Sequence, residues 1–261
     1  MTTLLQTPQD VLYPEDDGLP LSENTQQLRL ILTTLGGLQA LFRDDEVFVA
    51  GDLVWYPVKG SGENKAPDVM VVFGQDKRDR RSYLQWEEGN LGPQVTFEFV
   101  SNSNSEHEVE VVKRDFYQKH GVEEYYVHDP DRGTLLGWLR EGDRLQSIES
   151  MNGWVSPHLG IRFELVGRDL QLYHPNGKPF ITYSELMQQQ EQTELRAEQA
   201  ESQQTQTQLQ LEQSELQRQQ AELRAEQAER QLSQLNQLAE RFSALSPEQL
   251  NALGIDPGLL E

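Results

Sequence analysis

The sequence predicts a mixed α/β (α+β) domain containing a mixed sheet, followed by a long C-terminal helix. The domain is predicted from a strand–helix–strand pattern, in which β-branched and aromatic residues fill 95–100 and 122–128 and a helical pattern fills 105–120. Such a crossover usually places its two strands parallel in one sheet. The long helix is predicted because residues 188–237 are rich in Gln, Glu, Leu and Ala and contain neither Gly nor Pro.

Before this central stretch, the sequence predicts one helix and two strand regions. A helix is expected over 25–42, capped by residues 22–24, with Gly36 and Gly37 expected to weaken its middle. Its predicted apolar face comprises Leu28, Ile31, Leu32 and Leu35. Residues 46–58 are typical of a strand or hairpin, and residues 66–74 of an apolar strand.

After the central stretch, apolar runs separated by turn residues predict further β-structure. A hairpin is expected over 135–148, and strands over 161–165 and 170–173. The histidines at 107, 120, 128, 158 and 174 show no metal-ligand spacing.

The helix of the central stretch has both a start signal and an apolar face. Ser105 stands three residues before Glu108, which is the spacing of a capping box, and the polar residues 101–104 precede it as a turn. Val109, Val112 and Phe116 repeat at i, i+3 and i+7, so they are expected to face the core.

Two carboxylates lie on neighbouring predicted strands. Glu98 is in the middle of the strand over 95–100, and Asp68 follows Pro67 at the entry to the preceding strand. We expect both near the starts of adjacent strands, where they would meet at one sheet edge. Such a pair suits a hard divalent cation such as Mg²⁺, which can activate water against a phosphoryl group. Asp52 is a third candidate acid, although a role in a turn or at a strand edge is favoured for it.

These pieces together resemble the PD-(D/E)XK nuclease superfamily and, more closely, the Uma family of restriction-endonuclease-like proteins. The resemblance spans residues 22–187 and implies a restriction-endonuclease-like core with added β-hairpins. The matching segments are AGDLVWYP (50–57), APDVMVVFG (66–74), RSYLQWEEGN (81–90), TFEFVSNSNS (96–105), KRDFYQKHGVEEYYVHDP (113–130) and GWVSPHLGIRFE (153–164).

The resemblance implies a site and an activity. Asp68 and Glu98 match the two acidic motif positions and would bind Mg²⁺ or Mn²⁺. The usual Lys position holds Val100, and in this family a Lys of the following helix, here Lys113, is thought to substitute. Asp68, Glu98 and Lys113 would then catalyse hydrolysis of DNA phosphodiester bonds.

The residues alone leave the role of Lys113 open. Glu106, Glu110, Lys113 and Tyr117 lie along one helical stripe. Such a stripe is usually a solvated face, here with a Glu110–Lys113 pair contributing about 0.2–0.5 kcal/mol. The resemblance favours the other interpretation, in which Lys113 points at the two acids.

The charge of the chain supports a second interpretation. A net charge of −21 weighs against tight non-specific DNA binding, which depends on Lys and Arg neutralising phosphates. The dense basic cluster at 77–81 is equally consistent with a solvated loop and with phosphate contact. The alternatives are therefore a non-catalytic scaffold that keeps the nuclease fold, and a nuclease-like domain acting on RNA or within a toxin or mobile-element system.

Composition also indicates the compartment. The chain has no cysteine, so it has no disulfide framework. Its apolar runs are far shorter than the roughly 20 residues that span a membrane, so no membrane association is expected. No secretory leader is evident at the N-terminus, and we expect a cytoplasmic protein.

Four regions are predicted along the chain. They are a loose arm over 1–21, the nuclease-like domain over 22–187, a long helix or coiled coil over 188–245 and a short C-terminal helix over 246–261.

The long helix carries a repeat. TELRAEQAE at 193–201 returns as AELRAEQAE at 221–229, an offset of 28 residues, or four heptads. One heptad register is shared by Leu195, Leu209, Leu216 and Leu223, and another by Ala228, Leu232, Leu235, Ala239 and Phe242. A homo-oligomer formed through this helix is predicted, and a lone solvated helix is the alternative.

Overall fold

The computed structural model describes residues 13–14, 24–100 and 107–254. The chain divides into two compact units, residues 1–187 and 188–261. The strands are β1 Val47–Ala50, β2 Trp55–Tyr56, β3 Val69–Phe73, β4 Tyr83–Leu84, β5 Val95–Phe99, β6 Glu124–Asp129, β7 Thr134–Glu141, β8 Arg144–Ser147, β9 Arg162–Val166 and β10 Asp169–Tyr173. The helices are α1 Thr25–Leu41, a π-helical segment Glu108–Lys113, α2 Arg114–Lys119, α3 Tyr183–Ser243 and α4 Pro247–Ala252, and a 3₁₀ turn lies at Gln85–Glu87.

A mixed six-stranded sheet forms the centre of the first unit. Its strand order is β1-β3-β5-β6-β7-β8, with β5 and β6 parallel and every other neighbouring pair antiparallel. The mixed α/β fold and the parallel crossover predicted from the sequence are therefore confirmed. β7 and β8 form the predicted hairpin, and β9 pairs with β10 in a separate sheet.

The segment 46–58 is not a hairpin. β1 pairs with β3 in the main sheet, whereas β2 pairs in parallel with β4 in a separate two-stranded sheet. Asp52 lies between them with φ 50°, a left-handed conformation that Asp and Asn tolerate better than most residues.

The antiparallel pairing of β3 and β5 decides where the two acids meet. Val69 lies opposite Phe97, so the residues just outside this pair, Asp68 and Glu98, are at the same edge of the sheet. Glu98 is the fourth residue of the five-residue strand β5, near its end. The expectation that both acids lie near strand starts was wrong for Glu98, because in an antiparallel pair the start of one strand meets the end of the other.

Side chains of β5 alternate between two buried faces of the sheet. Phe97 and Phe99 join the cluster that includes Ile31 and Leu38 of α1. Glu98 points to the opposite face, where Val109 and Tyr117 pack. Both faces are covered, so a carboxylate in this strand is enclosed on the face of the helix that follows it.

Helix α1 begins as predicted. The side chain of Asn24 accepts a hydrogen bond from the backbone N–H of Gln27 at 2.8 Å. The predicted apolar face was wrong at Leu32, which is exposed, and the buried face instead includes Thr34. The helix continues through Gly36 and Gly37, and at Gly37 the ring of Phe180 occupies the space that a Cβ atom would take.

The crossover helix begins with a π-helical segment, and this changes which residues face the core. Val109 and Phe116 are buried as predicted, but Val112 is exposed, so that part of the predicted face was wrong. In a π-helix the hydrogen bonds span five residues, and the wider turn brings residues four apart into line. Lys113 therefore follows Val109 towards the sheet. The predicted turn at 101–104, the cap residue Ser105 and Glu106 lie outside the described residues.

Helix α3, which forms most of the second unit, is continuous over 61 residues and contains no buried residue. The leucines of the heptad register are all exposed in the single chain. A coiled coil therefore stays a prediction. Ser246 caps α4 through a capping box with Gln249, so a short helix lies within the predicted region 246–261, of which residues 255–261 are outside the described residues. In the described parts of the chain, no helix is both long and apolar enough to cross a membrane.

Candidate active site

Asp68 is held at the point where the β3–β5 ladder ends. Its Oδ2 atom accepts a hydrogen bond from the backbone N–H of Phe99 at 2.6 Å. Asp68 precedes the first residue of β3, and its side chain gives the Phe99 N–H the acceptor that a backbone carbonyl of β3 would otherwise provide. This bond fixes the carboxylate beside Glu98, its neighbour across the two strands.

Glu98 is enclosed and bonded through both oxygens. Its side chain is 1% exposed, Oε2 lies 2.6 Å from Lys113 Nζ, and Oε1 accepts a hydrogen bond of 2.5 Å from the hydroxyl of Tyr117. An unpartnered carboxylate at this depth would be strongly unfavourable. The helix after β5 supplies both partners, so the local fold stabilises the acid in place.

The contact from Lys113 answers the question left open by the sequence. Its ammonium binds Glu98, and not Glu110 as the solvated-face interpretation required. Lys113 is 14% exposed and lies against the sheet edge. The site therefore brings together the three residues that the sequence singled out, with Tyr117 beside them.

The charges of this cluster act on one another. Burial, the negative charge of Glu98 and that of Asp52 raise the pKa of Asp68 to about 8, opposed by Lys113 and by the Phe99 N–H bond. Burial lowers the pKa of Lys113, but the charges of Glu98 and Asp68 outweigh it and leave that pKa raised. Burial and then the charge of Glu98 raise the pKa of Tyr117 well above its usual value, so its hydroxyl remains a donor.

The chemistry of these donors fits a divalent cation. Asp68 and Glu98 provide hard carboxylate oxygens, and burial, followed by the charge of Glu98, raises the pKa of Asp68, so a cation bound here would stabilise its charged form. Mg²⁺ is typically bound by one or two carboxylates together with water and substrate phosphates, which matches a site with two acids. Within the described residues, no three His, Cys, Asp or Glu side chains form a metal-binding group, so Asp52 does not complete a three-acid cluster.

The basic cluster at 77–81 is largely used within the domain. Arg80 is 3% exposed and binds Glu88, which is 7% exposed, at 3.0 Å. Arg78 binds the same carboxylate at 2.7 Å, and Lys77 Nζ donates to the backbone carbonyl of Phe42 at 2.6 Å. Glu88 is therefore structural, and these three basic residues hold a loop in place.

Three residues beside the site were not assigned a role from the sequence. Tyr117 follows Lys113 by one helical turn, so its spacing was the available signal for a shared contact. Gln27 donates from Nε2 to the backbone carbonyl of Phe99 at 2.8 Å, and Lys65 Nζ lies 2.9 Å from Oε1 of Glu108. Gln27 and Lys65 are distant in sequence from β5, and no local pattern marked them.

An acidic pair and a lysine at the edge of a mixed sheet, with a helix covering one face, define a nuclease-like α/β domain. The chain belongs to the Uma2 family, described as "Putative restriction endonuclease", which matches residues 17–172. This confirms the family that the sequence motifs resembled.

Among solved structures, "a putative nuclease belonging to DUF820 from Anabaena variabilis" is similar over 52% of this chain and 73% of that chain. The sequence identity is 13% and the TM-score is 0.40. No curated protein matches the chain.

Proposed function

We propose that this protein is a metal-dependent endonuclease that hydrolyses DNA phosphodiester bonds. The observation that carries the proposal is the contact of 2.6 Å between Lys113 Nζ and Glu98 Oε2, next to Asp68 at the same sheet edge. Lys113 thus supplies, from the crossover helix, the positively charged side chain that Val100 cannot supply from the strand. Membership of the Uma2 family supports the nuclease-like role.

Asp68 and Glu98 would hold Mg²⁺ or Mn²⁺. When bound, such an ion polarises a phosphoryl oxygen and lowers the pKa of a water molecule. Phe99 N–H keeps one oxygen of Asp68 in position, and the hydroxyl of Tyr117 keeps Glu98 in position. The protein thus sets both carboxylates before substrate arrives, which is the geometric requirement of a preorganised site.

Lys113 would assist the reaction through its remaining protons. An ammonium has three N–H donors, and Glu98 takes one of them. The others can orient an attacking water or bind a phosphate oxygen as negative charge builds on it. Because the side chain is only 14% exposed, its charge is weakly screened by solvent.

Cleavage of plasmid DNA tests the proposal. Purified protein with Mg²⁺ or Mn²⁺ is expected to nick or linearise plasmid, and Asp68→Asn, Glu98→Gln and Lys113→Met are each expected to lower the rate by about 10²–10⁴-fold. Glu87→Gln, a similar change at an exposed residue outside the site, serves as the matched control. Intact plasmid and single-stranded DNA across a salt series, with folding confirmed by circular dichroism, would refute the proposal.

The second candidate is a non-catalytic scaffold. Two observations favour it: the net charge of −21, and the use of Arg78 and Arg80 in ion pairs with Glu88. A scaffold would show no affinity for Mg²⁺ or Mn²⁺ and no functional change in Asp68→Asn. In both candidates, we propose that α3 joins copies of the chain, because its heptad leucines are exposed in the single chain.

A further inference from the structure

A second regular series accompanies the leucines of α3. Gln occurs at every seventh residue, three before each position of the leucine register: Gln192, Gln199, Gln206, Gln213, Gln220 and Gln227. Between Gln192 and Gln227, the leucine register holds Leu195, Leu209, Leu216 and Leu223, and Ser202 occupies its remaining position. Alternating steps of three and four residues are the a and d positions of a coiled coil, here Gln at a and Leu at d.

This seam is long and uncovered in the single chain. It spans residues 192–227, more than the three to four heptads that indicate a coiled coil. The leucine side chains are 54% to 58% exposed, which is unusual for four leucines along one line of a helix. Beyond 227 the apolar residues change register, so the regular seam ends there.

We propose that α3 pairs with α3 of a second copy of this chain as a parallel, in-register, two-stranded coiled coil over residues 192–227. In a parallel pair each a position meets the same a position, and each d position meets the same d position. Leucine then packs on leucine. Each glutamine amide, which has both donors and an acceptor, meets an identical amide that can bond to it.

An antiparallel pair lacks this match. It places a positions opposite d positions, so that with full overlap Gln192 would lie opposite Leu223 of the partner subunit. Each buried amide would then face a hydrocarbon side chain, and burying an amide without a hydrogen bond is unfavourable. The glutamine series therefore selects the parallel orientation and the register together.

Flanking charges favour the same orientation. In the parallel pair, Glu191 at a g position approaches Arg196 of the partner subunit at the following e position. In the fully overlapped antiparallel pair, Glu191 would instead approach Glu226 of the partner subunit. Exposed pairs contribute little individually, so the charges only add to the selection made by glutamine and leucine.

The glutamines also favour two strands. In a dimer, the amides at a positions stay close to solvent at the edge of a narrow seam. A bundle of three or four helices would enclose them more completely, and the desolvation of each amide would oppose assembly. Polar residues at a positions specify register at some expense in stability, so we expect a dimer of moderate affinity.

The parallel orientation also has a consequence for DNA cleavage. This consequence rests on the proposed function, whereas the parallel dimer itself does not. The nuclease-like domain precedes α3 in the chain, so in a parallel pair both chains pass from this domain into the coiled coil at the same end of the coiled coil. A dimer with two such domains suits cleavage of both strands of a duplex.

Cross-linking of the full chain tests orientation and register. Since the protein has no cysteine, single substitutions report one position each. Under mild oxidation, Gln192→Cys and Gln227→Cys are each expected to form disulfide-linked dimers, whereas Gln204→Cys, on the outer face, is not. A cross-link between Gln192→Cys and Leu223→Cys in a mixture, without one in Gln192→Cys alone, would show an antiparallel pair and overturn the proposal.

Sedimentation equilibrium without DNA tests the number of chains. Wild type is expected to form dimers, and Leu209→Lys to weaken them by about tenfold or more because it places a charge in the seam. Leu211→Lys is the matched control, because Leu211 is an exposed leucine of the same helix that lies off the seam. Monomers at every concentration tested, or trimers or tetramers, would overturn the proposal, and neither result depends on nuclease activity.

Discussion

Removal of the Lys113 ammonium is the sharpest perturbation of the site. Glu98 is 1% exposed. In Lys113→Met, its carboxylate keeps the hydrogen bond from the hydroxyl of Tyr117 but loses its only ion-pair partner among the described residues. Breaking a buried pair from one side typically costs about 3–5 kcal/mol, because one charge stays buried and uncompensated. For a domain of this size, about 2–4 °C of melting temperature corresponds to each kcal/mol, so a fall of about 6–20 °C is expected.

The double variant separates this charge effect from lost packing. Glu98→Gln with Lys113→Met removes both charges, while the amide oxygen can still accept from Tyr117. Most of the lost stability should therefore return in the double variant, and a double-mutant cycle from urea unfolding in metal-free buffer measures the coupling. A single variant as stable as wild type, or a double variant no more stable than the single, would refute the buried ion pair on which the site is built.

Three further predictions concern residues around the site and the core. Tyr117→Phe removes a hydrogen bond to the charged Glu98 and should lower the free energy of unfolding by about 1.5–3 kcal/mol. Tyr125→Phe removes a hydrogen bond to the neutral carbonyl of Val109 and should lower it by about 0.5–1.5 kcal/mol. Equal losses in urea unfolding would contradict this. Gly37→Ala places a Cβ atom 2.1 Å from Phe180 Cδ2 and should destabilise the folded domain by about 1–3 kcal/mol. Gly36→Ala meets open space and should stabilise the domain by up to about 1 kcal/mol. Thermal melts that shift in the same direction for both variants would contradict this. Burial lowers the pKa of His128 in the folded protein, against the opposing effects of the Thr134 carbonyl, Asp129 and Asp169. The unfolded chain therefore takes up the extra proton first, and stability is present above the ordinary pKa of 6.5 and lost as pH falls below it. Melting temperatures at several pH values should show a flatter acid limb in His128→Gln, and an unchanged limb would contradict the assignment.

The sequence predicted the order of strands and helices where periodicity was strong. The strand holding Glu98, the crossover and the hairpin after it were all identified, because alternation and turn residues mark such elements locally. The edge at which Asp68 and Glu98 meet was also predicted, although the end of β5 was mistaken for its start. Pairing direction depends on distant strands, and a single strand carries no signal for it.

The course of the crossover helix could not be predicted from its apolar residues. An α-helical period placed Val112 in the core, whereas the π-helical segment exposes it and turns Lys113 inward. The gain is the ion pair with buried Glu98, a tertiary interaction that overrides the local pattern. The ion pairs of Arg78 and Arg80 with Glu88 could not be predicted either, because the sequence of a basic run does not indicate whether it binds phosphate or a carboxylate of its own domain.

Cation binding by Asp68 and Glu98 is the central claim, and calorimetric titration with Mg²⁺ and Mn²⁺ tests it most directly. Titrations of wild type, Asp68→Asn, Glu98→Gln and the control Glu87→Gln would be run with and without a DNA analogue that cannot be cleaved, because substrate phosphates commonly complete a Mg²⁺ site. Wild type and Glu87→Gln are predicted to bind equally, and the other two to bind about 10-fold or more weakly. Absence of binding by wild type in both conditions, or equal binding by all four proteins, would contradict the claim.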